Sequence, residues 1–255
     1  MKSRLARALT VFLLPGALFV LWFAISDSSG NFFFPPLRKI LSAFADVWLD
    51  AGSASDIVPS LLRLAAGFSA SLVFALTVGI LLGSSKVARD YTEPVFEFFR
   101  AIPPTVMIPV LLVISGIGDV SKIVVISFGC LWPMLLNTVE GVRSADPVLN
   151  DTCRVYGIGG LRRLLVFTLP AASPQIVTGM RTGLSIAIVL MVISEMFASR
   201  NGIGFTIIQF QRTFAIPEMW SGILLLGLIG VALSLLMRVV ELSVLYWYEG
   251  ARARS

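Results

Sequence analysis

The sequence predicts an all-α protein, a polytopic membrane helical bundle of six transmembrane helices with its N- and C-termini inside. Three observations carry this expectation. Apolar residues make up 56% of the 255-residue chain and charged ones 14%, against roughly 25% charged in soluble domains, too few to furnish a water-facing surface. Long uncharged runs recur along the chain. The basic residues also divide unevenly between the segments that join those runs.

The first run, Ala8–Ile25, is 18 residues long, or about 27 Å as a helix against a hydrocarbon core of about 30 Å. Lys2, Arg4 and Arg7 precede it as they would a signal peptide, but Ser26–Gly30 offers no clear small-x-small cleavage site, so a retained helix is expected. Leu64–Gly83, Ala101–Gly118, Ile123–Val139 and Met219–Met237 supply 20, 18, 17 and 19 residues. Thr182–Ser194 has only 13; it spans if Arg181 snorkels and Glu195 lies at the far interface. Leu164–Met180 is uncharged too, but Pro170 and Pro174 favour a loop leading into a short helix over a seventh span.

With the N-terminus inside, fourteen Lys and Arg fall on the inner side and six on the outer. That obeys the positive-inside rule, so topology accounts for the net charge of +5 without a nucleic-acid partner. The chain has no histidine, which removes Ser-His-Asp and Cys-His nucleophiles, His-bound zinc and histidine bases. Cys130, in a span, and Cys153, in an inner loop, suggest no disulfide. No metal-ligand spacing is present, and no catalytic residue is expected. Residues 1–58 divide off as an N-terminal membrane helix and external segment. Residues 59–246 form the core, with an inner loop at 140–172, and 247–255 are a tail. In the external segment, Ile40–Leu49 has the apolar spacing of a helix lying on the membrane surface.

The inner loop is the most informative stretch. Asn150 or Asp151 can cap a helix, Gly157 permits a close turn, and Leu161–Phe167 forms a second short apolar helix. Such a helix–Gly–helix cannot bury its apolar side alone, which suggests docking onto a soluble protein. An ordinary inter-helix loop with an Asp cap is the plainer alternative. Pro103, Pro104 and Pro109 either kink the third span or break it to line a pathway. Glu195 is either a translocation-pathway or gate residue or an interfacial acid beside Arg200. Arg63 fits an interfacial anchor, Arg181 the inner end of its span, Arg238 with Glu241 an i,i+3 pair, and Tyr246-Trp247-Tyr248 an interfacial belt.

The loop also resembles the cytoplasmic EAA loop of ABC importer permeases, Glu-Ala-Ala-x3-Gly-x9-Ile-x-Leu-Pro. Gly157, Phe167 ten residues on, and Leu169-Pro170 are in register, while the opening triplet stands as Asp151-Thr152-Cys153. Ser60–Phe68, Pro94, Arg100-Ala101-Ile102-Pro103-Pro104, Ile108-Pro109, Ser194-Glu195-Met196 and Asn201-Gly202-Ile203-Gly204 are similar to the nitrate/sulfonate/taurine branch. The resemblance runs from about residue 59 to the end of the last span.

It implies a type I ABC importer permease fold in the bacterial inner membrane and a homodimer of two permease copies. Two cytoplasmic ATPase subunits and an external solute-binding protein complete the expected assembly. Asp151, Thr152, Cys153, Tyr156, Gly157, Leu161, Arg162, Arg163, Leu164, Leu165 and Pro170 would couple to the ATPase. In that role Gly157 permits the turn, Leu161 with Leu164 or Leu165 packs on the ATPase, and Arg162 and Arg163 pair with its acids. The chain has no Gly-x4-Gly-Lys-Ser/Thr, so ATP and magnesium belong to the partner. The rivals are a secondary transporter or channel, disfavoured by span centres without acids, and an intramembrane enzyme, disfavoured by the missing catalytic groups.

Overall fold

The computed structural model describes residues 31–248, together with Leu13, Gly16, Ala17 and residues 20–26. Among these the chain is helical and contains no strand. The helices are α1 (Leu37–Trp48), α2 (Ala54–Ser84), α3 (Lys86–Ala101), α4 (Ile108–Ser115), α5 (Asp119–Arg143), α6 (Pro147–Val155), α7 (Leu169–Ala198), α8 (Ile203–Arg212) and α9 (Ile216–Val244). Most of the expected first span lies outside the described residues; residues 20–26 of it are helical. Four stretches among the described residues are long and apolar enough to cross a membrane: Ala51–Ser84, Asp119–Arg143, Gly160–Phe197 and Ile216–Val244.

The core is a sandwich of α2, α5 and α7, with α5 in the middle. Lipid tails are as apolar as leucine, so these helices gain by close packing rather than by expelling water. The sequence allows this through one face of α2, where Gly67, Ser71, Ala75, Gly79 and Gly83 recur every four residues. A Cβ at Gly79 would stand 2.8 Å from Thr138 Cβ, and one at Gly83 2.7 Å from Val142 Cβ. Two hydrogen bonds cross the same seam: Ser71 Oγ donates to the Ser127 carbonyl, and Ser127 Oγ to the Gly67 carbonyl. On the other side of α5, Met134, Leu135 and Cys130 join Leu190, Met191 and Ala187 of α7 in the main apolar cluster. The outward residues of α9, including Val231, Leu235, Leu236 and Val239, stay exposed and face lipid.

Two sequence expectations need correction. Ala101–Gly118 is not one helix. Proline disfavours the α conformation in the residue before it; Ile102 accordingly turns extended (φ −80°, ψ 119°) and α3 stops at Ala101. A turn follows, with the Val106 amide donating to the Pro103 carbonyl and the Met107 amide to the Pro104 carbonyl. The chain re-enters a helix at Ile108 with Pro109 in its first turn. The prolines therefore break the helix outright.

The second correction concerns Leu164–Met180, which is no loop. Pro170 lies in the first turn of α7, where its missing amide has no intrahelical partner to lose. A helical turn at Gly160–Arg163 and a π-helical stretch at Leu164–Thr168 lead into it without interruption. The fifth span is thus part of a 38-residue helical run rather than a 13-residue segment. Leu161–Phe167 is the entry to that run, not a separate short helix.

The surface helix expected near Ile40–Leu49 forms as α1, but its apolar face packs on protein. Leu37, Ile40, Ala43 and Trp48 are buried, with α9 as the main neighbour. Trp48 Nε1 donates to Ser221 Oγ of α9 at 2.9 Å, and both groups are buried. A Trp48→Phe substitution removes that donor, and the expected cost is about 1 kcal/mol. It is measurable as a small drop in thermal stability in detergent micelles; no change would mean that the pair is energetically idle.

Candidate functional site

Two polar features stand at opposite ends of the bundle. Arg63 and Ser84 on α2 are 21 residues apart, about 31 Å along a helix. The end near Arg63 holds a charge cluster; the end near Ser84 holds the loop around α6.

At the first end, Glu195 near the end of α7 is fully buried and Arg63 is 4% exposed. Arg63 Nη1 donates to Glu195 Oε1 at 2.7 Å. Ser60 Oγ donates to the same carboxylate at 2.7 Å, and the Gly204 amide reaches Oε2 at 3.0 Å. The remaining guanidinium donors go to Asp119 Oδ1 at 2.9 Å and to the Asn201 carbonyl and Oδ1 at 3.1 and 2.6 Å. Ser60 Oγ also accepts from the Ile203 amide at 2.9 Å. Asp56, one turn earlier, accepts from the Gly202 amide and the Thr206 hydroxyl, each at 2.8 Å. A buried ion pair survives only where such hydrogen bonds satisfy its other lone pairs and protons.

The Asn201-Gly202-Ile203-Gly204 turn has its reason here. Gly202 takes φ +121°, and a Cβ on it would lie 2.5 Å from the Glu195 carboxyl carbon. Only glycine fits, and the turn cradles the carboxylate as α8 begins. The expected partner of Glu195, Arg200, is replaced by Arg63, and Arg63 is a buried hub rather than an interfacial anchor. Beside this cluster, Lys122 is 2% exposed, its Nζ donating to the Gly118 carbonyl at 3.0 Å.

At the other end, Asp146 Oδ1 accepts from the Val148 amide at 2.8 Å and starts α6, with Pro147 in the first turn. The cap is therefore Asp146; Asn150 and Asp151 lie inside the helix. α6 ends as the Gly157 amide bonds the Arg154 carbonyl and the Ile158 amide the Cys153 carbonyl. This paired closure requires a left-handed residue, and Gly157 supplies φ +63°. Around the turn the apolar side chains point outward: Val155 is 84% exposed, Tyr156 76% and Leu161 70%.

The other residues expected in this loop divide between surface and interior. Asp151 pairs with Arg154 at 3.4 Å, both exposed, and Thr152 is exposed, its hydroxyl on the Val148 carbonyl. Cys153 is buried, with Leu164 and Pro170 half-buried and Leu165 exposed. Arg162 is exposed, whereas Arg163 is half-buried and bonded to Asn150 Oδ1. Exposed Val148 and Leu149, at the start of α6, extend the same apolar surface.

The expected Arg238–Glu241 pair forms at 3.2 Å, and Arg181 of α7 joins the same carboxylate. In the α3–α4 break, Pro103 and Pro109 are exposed and Pro104 is half-buried. The charge cluster was missed as a unit. Its signal was Asp56, Ser60 and Arg63, three polar residues four and three apart on one face of an otherwise apolar helix.

These features define a multi-helix membrane protein that leaves an amphipathic loop uncovered at one end. The chain belongs to the binding-protein-dependent transport system inner membrane component family, whose pattern it matches over residues 75–244. It is 30% identical over 230 residues to a probable ABC transporter permease protein of Brucella abortus, covering 90% of this chain and 92% of the relative. It is 31% identical to the nitrate import permease protein of Synechocystis (88% and 84% covered) and 29% to a putative aliphatic sulfonates transport permease protein of Bacillus subtilis (93% and 88%). In fold it resembles the inward-facing MetNI methionine ABC transporter, with a TM-score of 0.57 at 20% identity over 72% of this chain and 94% of the other. It is thus an ABC importer permease of the sulfonate/nitrate/taurine type, a multi-pass protein of the inner membrane. Membership implies an ATPase and a binding protein as partners.

Proposed function

We propose that this chain translocates a small oxyanion or organosulfonate, such as taurine, an alkanesulfonate or nitrate, by alternating access driven by a partner ATPase. The relatives named for nitrate, aliphatic sulfonates and taurine support the solute class. Six crossings with both termini inside fit the charge asymmetry; the third is then the pair α3 and α4, whose 16 and 8 residues reach about 36 Å together. Two copies of the chain would enclose the pathway, each engaging one ATPase subunit, with an external binding protein delivering the solute. The chain itself performs no bond chemistry; ATP and magnesium would act on the partner. The broken backbone at Pro103, Pro104 and Pro109 suits a pathway-lining gate. Glu195, fully buried and hydrogen-bonded, suits a clamp on the outer ends of the helices better than a group that touches solute.

The observation that carries the coupling role is the outward apolar turn of Val155, Tyr156, Gly157 and Leu161. Apolar groups this exposed in an aqueous loop call for a partner surface. Arg162 is free to meet acids on that surface, while Arg163 is held within the chain. Gly157→Trp tests the assignment well, because a Cβ at Gly157 meets nothing within 4 Å of it in the chain. Only the left-handed backbone is strained, by about 1–2 kcal/mol, and Gly157→Asn controls for that. Wild type and Gly157→Asn should carry the ATPase through purification from the membrane, while Gly157→Trp loses it about tenfold or more and stays folded. A permease stable without any ATPase, and indifferent to the substitution, would redirect attention to a secondary transporter.

A further inference from the structure

Beside the docking loop lies a cavity of about 290 Å³ that the coupling role does not use. Its walls come from the end of α2, the start of α3, the end of α5, α6 and the π-helical entry to α7. They carry Lys86, Arg89, Arg143 and Arg163, with Asn150 and Thr168 between them and no acidic residue. Three of the cations are already aimed: Arg89 Nη1 donates to the Gly83 carbonyl at 3.3 Å, Arg163 is held by Asn150, and Arg143 faces Glu140 at 3.4 Å across an exposed contact. Lys86 stands exposed at the mouth. Four like charges around one space repel one another unless an anion sits among them.

The position selects the anion. Gly83, Ser84 and Arg143 are the last residues of two membrane-crossing helices, so the cavity opens at the level of the lipid headgroups. Guanidinium groups match the paired oxygens of a phosphate, and basic pockets between helix ends on the inner face hold anionic headgroups. We propose that this cavity binds the phosphate of an anionic phospholipid from the inner leaflet. The site rests on the inward orientation given above for the loop. A lipid there ties the ends of α2 and α5 to Asn150 and Arg163, immediate neighbours of Asp151 and Arg162 on the docking loop. The anionic lipid content of the membrane then sets how firmly that loop is held.

Native mass spectrometry of the full-length permease, taken from phosphatidylcholine bilayers with and without phosphatidylglycerol, tests this. Wild type should retain phosphatidylglycerol through delipidation in preference to phosphatidylcholine. The Lys86→Gln/Arg89→Gln double variant should retain about tenfold less or lower, while Arg212→Gln at the opposite end retains as much as wild type. Equal retention by the double variant overturns the site. Displacement of the bound lipid by excess inorganic phosphate supports a phosphate subsite. Inorganic phosphate retained with no lipid preference overturns the lipid assignment. An unchanged melting temperature for the double variant separates loss of the ligand from loss of the fold. Lipid retention is scored on the permease alone, so an absent ATPase bears on the coupling role and not on this cavity.

Discussion

Replacing Arg63 with methionine is expected to destabilise the protein by about 3–5 kcal/mol, because it leaves a fully buried carboxylate without its counter-charge. Glu195 is 0% exposed, and three hydrogen-bonding groups converge on it. Removing the guanidinium strands that charge; it also frees the Asn201 carbonyl and side chain that hold the α7–α8 turn. The outer ends of α2, α5, α7 and α8 lose their common tie. Glu195→Gln should cost less, since the amide keeps an acceptor for Ser60 and Gly204 and strands no charge. The Arg63→Met/Glu195→Leu pair should recover much of the loss, as apolar replacements of whole buried ion pairs often do. Thermal unfolding of the three variants in one detergent orders them. If Arg63→Met melts with wild type, the cluster is not what holds the outer end together.

Gly67→Ala is expected to cost about 1–3 kcal/mol, far more than one methyl group would in a lipid-facing position. The new Cβ would stand 2.7 Å from Ile126 Cγ2 and 3.0 Å from the Ile123 carbonyl oxygen. Ile126 is fully buried, and a β-branched side chain in a helix has essentially one rotamer, so it cannot swing aside. The helices must part instead, which stretches the Ser127–Gly67 hydrogen bond at 3.1 Å and its Ser71–Ser127 neighbour. A double-mutant cycle gives the sharper result. In an Ile126→Ala background the Gly67→Ala penalty should shrink by at least about 1 kcal/mol. An unchanged penalty would place its origin in the backbone of α2 and not at the α2–α5 contact.

Much of this was legible in the sequence because bilayers impose simple rules. Backbone groups without water must be satisfied within a helix, so uncharged runs name the spans wherever proline does not intervene. The two errors over spans were both about proline, and they went in opposite directions. Pro103 and Pro104 follow a residue that they force out of the α region, so they end a helix. Pro170 falls in a first turn, where a missing amide costs nothing, so it begins one. Residue type was the same; position relative to the helix end decided the outcome.

The sequence by itself determined the membrane class, the course of the spans on α2, α5, α7 and α9, and the turn at Gly157, because each depends on local composition or on one backbone conformation. Tertiary structure alone decided which polar groups meet. Arg63 lies 132 residues from Glu195 and 138 from Asn201, and neither pairing leaves a trace in local pattern. It also decided that Arg163 turns inward to Asn150 while Arg162 remains outside, and that the face of α1 covers protein and not lipid. Those choices follow from how closely α2, α5 and α7 approach one another, and the small residues on their shared faces set that distance.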